Sequence, residues 1–148
     1  MSAASFGAAF LWQFALLAAA PRPNPGMGPH AVIRTVVEAL HNHGSPAPNA
    51  GIFTVYQFAS PGNRHNTGPY GKFLRLVKIP NFAPLLSHGI TTYGPLTSSG
   101  DRAEEEISIR MDDGRDARFR IVVSRQTWQQ TQGRCAGCWM VDGVIPLR

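Results

Sequence analysis

Near His88 the apolar residues of this chain change spacing, and that switch limits the folds open to it. Ahead of it they recur at i, i+3, i+4 and i+7, the mark of a helix with one buried stripe. Beyond it they alternate with polar residues, the mark of strands with one buried face. Helices followed by strands imply an α+β domain, with the helices on one face of an antiparallel sheet. At 148 residues there is room for one such domain.

The helical part is punctuated by proline and glycine. Pro29 to His43 is expected as the first helix, with Gly28 as N-cap, Pro29 in the first turn and Gly44 as a left-handed stop. Its stripe is Ile33, Val36, Val37 and Leu40. Gly51 to Ala59 is a short helix or extended turn with apolar residues on nearly every side, and so mostly buried. Ser60 to Thr67 is dense in turn formers and is expected as a loop. A third helix starts at Gly68-Pro69, carries Phe73, Leu76 and Val77, and stops at Pro80. Asn81 to Leu86 is irregular, anchored by Phe82, Leu85 and Leu86.

The hairpin from Glu104 to Arg125 can be registered by parity. A two-residue turn at Asp113-Gly114 would set Ile109 against Arg118 and mix the two faces. A three-residue loop, Asp112-Asp113-Gly114, instead pairs Ile107 with Phe119, Ile109 with Ala117 and Glu106 with Arg120. Gly114 would then take the left-handed position. The same parity points Glu105 to the apolar side, unless the strand starts after it and leaves it at a wet rim. The last strand is expected from Gly137 to Pro146.

Residues 1–20 carry no charged side chain, and an apolar run from Phe10 ends in Ala18-Ala19-Ala20 before Pro21. The run is short for a bilayer span, which needs roughly 20 apolar residues, and its end has the small-x-small form of a cleavage site. It reads as a targeting segment for export or for an organelle such as a plastid; otherwise the protein is cytoplasmic. No transmembrane helix is expected in the mature domain. Residues 21–28 form a Pro/Gly-rich linker, which leaves 29–148 as the folded domain.

Twelve of the fourteen basic residues are arginine, against nine acids, for a net charge of +5. Arginine suits planar anions, so an anion or nucleic-acid binder is one reading. The arginines are scattered and form no patch in the sequence, which favours the other reading, a coding bias of the source. Cys135-Ala-Gly-Cys138 precedes a strand rather than opening a helix, and two cysteines fall short of a zinc set. In an oxidising compartment they could form a small-loop disulfide. No metal site, phosphate loop or dinucleotide fingerprint is present, so no cofactor is expected. Ser60, Asn63, Arg64 and Thr67, flanked by Tyr56, Phe58 and Phe73, form either the polar mouth of an apolar pocket or a rigid loop that caps helices and tethers them to the sheet.

The stretches Gly51-Ile-Phe-Thr-Val-Tyr-Gln-Phe-Ala-Ser-Pro-Gly-Asn-Arg-His-Asn-Thr-Gly-Pro-Tyr-Gly-Lys-Phe73 and Gly137-Cys-Trp-Met-Val-Asp-Gly-Val144 resemble a domain of unknown function in the nuclear transport factor 2-like (SnoaL-like) superfamily. Gln126, Cys138 and Trp139 fit that pattern as well, whereas Cys135 is an addition of this chain. The likeness covers roughly His30 to Val144. It implies a cystatin-like cone, with about three N-terminal helices on a curved antiparallel sheet of about four strands. Phe53, Tyr56, Phe58, Phe73, Phe119, Ile121, Trp139 and Met140 would line the interior. It also implies a homodimer through the sheet face. The superfamily hosts isomerases, cyclases, scaffolds and carriers on one frame, so function must be argued from the site. The first reading is a non-catalytic ligand-binding or assembly module that takes a small hydrophobic ligand. The second is an enzyme of the SnoaL or ketosteroid-isomerase kind, using Glu105, His88 or Asp142 as a pocket acid or base. An enzyme calls for a carboxylate or histidine in the cleft. A binding module calls for an apolar cleft. An anion binder calls for Arg64, Arg118, Arg120 and Arg125 on one surface.

Overall fold

The computed structural model describes residues 19–148. Residues 1–18, most of the expected targeting segment, lie outside the described residues.

The helices come first: α1 (Pro29–His41), α2 (Ala50–Phe58), α3 (Pro61–Thr67), α4 (Tyr70–Val77), a 3-10 turn at Pro80–Phe82 and α5 (Ala83–Leu86). Then follow β1 (Ile90–Ser99), β2 (Arg102–Arg110), β3 (Asp116–Arg125), α6 (Trp128–Thr131) and β4 (Trp139–Leu147). The strands form one antiparallel sheet in the order β1-β2-β3-β4. The domain is therefore α+β, with more helices before the sheet than the three expected.

α1 starts as expected, with Gly28 as N-cap and Pro29 at the first position. Its buried stripe is Val32, Ile33, Val36, Val37 and Leu40. Each such side chain contributes roughly 1.5–3 kcal/mol when fully buried. The helix ends two residues early, with Asn42 as C-cap, and Gly44 is not among the positive-φ glycines. His41 links the two layers: its Nδ1–H donates to the Ser87 carbonyl oxygen at 2.6 Å, and Nε2 lies 2.6 Å from Thr91 Oγ1. Both ring nitrogens are thus used in holding α1 to the start of β1.

α1 contacts β2, β3 and β4 as well as α2. The inward face of the sheet supplies Ala103, Ile107, Ile109, Phe119, Ile121, Val123 and Val141, all buried. Among the described residues no layer of secondary structure lies on the other face, where Arg120 pairs with Glu104 and Glu106 across the strands.

The β2–β3 hairpin has the three-residue loop. Ile107 pairs with Phe119, Ile109 with Ala117 and Glu106 with Arg120. Gly114 has φ +82°, its N–H donates to the Met111 carbonyl, and Met111 N–H donates to Arg115. Around this turn, hydrogen bonds from the Arg115 backbone and side chain hold the Asp113 carboxyl below its ordinary range, and a hydrogen bond from Arg110 does the same for Asp116.

The segment Ser60–Thr67 departs from the expected loop: Pro61–Thr67 is helical. Ser60 is its N-cap, accepting from Asn63 N–H at 3.2 Å, and Pro61 occupies the first turn. Of the expected interior residues, Phe58, Phe73, Phe119, Ile121 and Met140 are buried, while Tyr56 and Trp139 pack on the core partly exposed. Phe53 is 47% exposed, because nearly every position of α2 is apolar and one side of a helix must face out. Asp142 is not in a turn. It is the extra β4 residue where the β3–β4 register shifts, between Val141↔Val123 and Gly143↔Val122.

Candidate functional site

An apolar cavity of about 180 Å³, partly open to solvent, lies between the helices and β4. Its walls are Leu40 of α1, Val55 of α2, Phe73, Leu76 and Val77 of α4, Phe82, Leu85, and Gly143 and Val144 of β4. Asn63 and Thr67 are its polar members. No lining residue carries an ionisable side chain. At the cavity α4 seats Phe73 in the core and leaves Leu76 partly uncovered.

The polar segment beside it acts mainly as a tether. Ser60 N–H donates to the Val141 carbonyl at 2.8 Å, and Asn63 Nδ2 donates to the same oxygen at 3.0 Å. Ala59 forms a parallel bridge to Val141, which covers that part of the β4 edge. Arg64 donates from Nε to the Tyr56 carbonyl at 3.1 Å and from Nη2 to the Gln57 carbonyl at 3.0 Å, closing the C-terminus of α2. Its guanidinium also stacks 4.6 Å from the centroid of the Tyr56 ring. Thr67 Oγ1 donates to the Asn63 carbonyl at 2.9 Å. The segment thus caps helices and ties them to the sheet, while Asn63 and Thr67 also edge the cavity.

The expected site residues therefore separate. Asn63, Thr67 and Phe73 meet at the cavity. Tyr56 and Arg64 face a different hollow with Gln57. Phe58 is core, and Ser60 is a buried cap. Gln126 is buried, with its amide on the Ser124 carbonyl and Oγ, and its backbone clasps Gly137 and Cys138 at 2.8 Å on each side. Trp139 follows that clasp and packs on the core. Cys135 and Cys138 are joined as a disulfide, with Cys138 buried.

Glu105 faces inward: β2 begins at Arg102, three residues ahead of it, so the rim alternative does not hold. Its side chain is 1% exposed. Its partner is His30, in the first turn of α1, whose Nδ1 lies 2.8 Å from Oε2 and 3.1 Å from Oε1. Carboxylate oxygens accept, so Nδ1 carries the proton in this contact and Nε2 is left outside the pair. Tyr93 sits edge-on to His30 at 5.6 Å, with Arg34 5.8 Å from its ring centroid. Burial, then the charge of Glu38, pushes the Tyr93 phenol up, against a lowering by Arg34. His30 does not line the apolar cavity. Sequence reasoning placed Glu105 and missed His30, 75 residues away, because the pairing depends on how α1 crosses the sheet. His88 and Asp142 are exposed and join neither group.

The four arginines named for an anion site do not share a surface. Arg118 and Arg120 lie on the uncovered face, Arg125 pairs with Asp101, and Arg64 is on the helical side. Among the described residues no three metal-ligating side chains cluster, and no helix is long and apolar enough to cross a membrane. No family model, curated protein or solved structure matches the chain.

Proposed function

We propose that this domain is a non-catalytic binding module of the nuclear transport factor 2-like kind, in which the helices and sheet enclose a small apolar ligand as a cystatin-like cone does. The observation that carries the reading is the cavity of about 180 Å³, walled by aliphatic and aromatic side chains and free of any acid or base. An engineered apolar cavity of roughly 150 Å³ stays dry and takes up benzene, so a ring of that order fits. Asn63 and Thr67 at its edge would orient a single polar atom. A homodimer through the uncovered sheet face is part of the same reading.

Native mass spectrometry of the full chain, taken from its own organism, tests both points through a retained small molecule and the subunit count. With indole or toluene as probe, ligand at 100 times its Kd should stabilise the fold by about 2.7 kcal/mol. Methyl resonances of Val55, Val77, Leu85 and Val144 should shift. Val144→Phe, which fills the cavity from the sheet, should abolish both effects and leave a folded protein. Failure of every apolar probe, together with no retained ligand, would remove the reading.

One observation favours an enzyme of the SnoaL or ketosteroid-isomerase kind: Glu105 orients His30 through Nδ1, which leaves Nε2 as a positioned base on a side chain that is 47% exposed. That reading requires His30-dependent deuterium exchange at the carbon beside the carbonyl of a ketone such as cyclohexanone, lost in His30→Gln. Exchange no faster than in buffer counts against it.

A further inference from the structure

We infer that a second site, on the helical side near the disulfide, binds a small aromatic anion: a planar ring that bears a carboxylate or phosphate. Two adjoining hollows of about 340 and 420 Å³ share Arg64, Arg134 and Cys135 in their walls. The larger also takes in Arg22, Phe53, Tyr56 and Gln57. Three arginines thus line one groove from chain positions 22, 64 and 134, and no carboxylate lines either hollow. None of the three arginines is in a salt bridge among the described residues. Seven of the nine acids of the chain are paired elsewhere: Glu38, Asp101, Glu104, Glu105, Glu106, Asp113 and Asp116.

Like charges brought to one groove repel, and a bound anion removes that repulsion. The guanidinium fork fits carboxylate and phosphate oxygens in pairs. Arg64 is set in advance by its two hydrogen bonds to the end of α2 and by its stacking on Tyr56, so less side-chain freedom is lost on binding. Arg22 is carried on the linker, where the Pro23 carbonyl oxygen lies 3.4 Å from Cys135 Sγ. The disulfide fixes that sulfur and with it the wall next to Arg134. The ring half of the ligand is assigned to Phe53, which is 47% exposed in the same wall and stands edge-on to Tyr70 at 5.3 Å.

The site is tested on the full chain by calorimetric titration at low salt with phenyl phosphate, benzoate and inorganic phosphate. The expected result is saturable binding of phenyl phosphate or benzoate, whichever head group fits better, at least about tenfold tighter than inorganic phosphate. Arg22→Ala and Arg134→Ala should each weaken it about tenfold. Arg64→Lys, which keeps the charge without the fork, should weaken it as well. Arg118→Ala, on the uncovered sheet face, should leave it unchanged, as should Val144→Phe in the apolar cavity. The inference is overturned if inorganic phosphate binds as tightly as phenyl phosphate, or if Arg22→Ala and Arg134→Ala have no effect. It is also overturned if a short single-stranded oligonucleotide binds more tightly than phenyl phosphate and Arg118→Ala weakens both.

Discussion

His30→Ala is expected to destabilise the domain by about 3 kcal/mol, and Glu105→Leu in the same chain to restore most of that loss. The Glu105 side chain is 1% exposed, and both of its oxygens lie within hydrogen-bond reach of a single atom, His30 Nδ1. Truncating His30 leaves a buried carboxyl group without that partner. Breaking a buried pair from one side costs about 3–5 kcal/mol. The lower end applies here because the His30 side chain is 47% exposed, so water can enter where the ring stood. Replacing the carboxyl group as well removes the need for a partner, and a leucine would sit among Ile107, Ile121 and Ala103. Urea unfolding of the two single variants and the double variant closes the cycle. A coupling near zero would mean that Glu105 is solvated by another route, and the pair would then hold neither α1 to the sheet nor an imidazole in place.

How legible this was in the sequence depends on the range of the forces involved. The β2–β3 register could be read because period-two alternation and one glycine act within about ten residues of each other, and a slip would turn every side chain over. The α1 stripe was legible for the same local reason. α3 was not read as a helix because Pro61–Thr67 has no apolar stripe. Its signals are at its ends, in the Ser60 cap, Pro61 in the first turn and left-handed Gly68, and those would have found it. The candidate site was less legible. Ser60, Asn63, Arg64 and Thr67 are close in sequence, but what each one reaches is set by different carbonyl oxygens: Val141, in another layer, for Ser60 and Asn63, Tyr56 and Gln57 for Arg64, and Asn63 for Thr67. The cavity walls come from seven helical or strand segments, and Arg22, Arg64 and Arg134 are isolated from each other in the chain. Neither grouping leaves a spacing that periodicity can detect.

The same substitution, glycine to alanine, should have opposite signs at two helical positions, and that contrast tests the α1–α2 packing. At Gly51, in the first turn of α2, an added Cβ would overlap the Ala39 carbonyl oxygen of α1 and come within 2.6 Å of His43 Cα. Both obstacles are backbone, so no side chain can swing away. The two helices must separate, and the Gly51 N–H, which donates to the His43 carbonyl at 3.0 Å, would lengthen or lose that bond. Overpacking of this kind costs about 1–3 kcal/mol or more, and the better helix propensity of alanine returns only about 1 kcal/mol. A net loss of about 2 kcal/mol is expected, or roughly 8 °C in Tm for a domain of this size. At Gly62, on α3, an added Cβ meets nothing within 4 Å and φ is not positive. There only the propensity term operates, and Gly62→Ala should stabilise by about 0.5–1 kcal/mol. If Gly51→Ala were neutral, the two helices would not be in the close contact that holds α2 over the cavity.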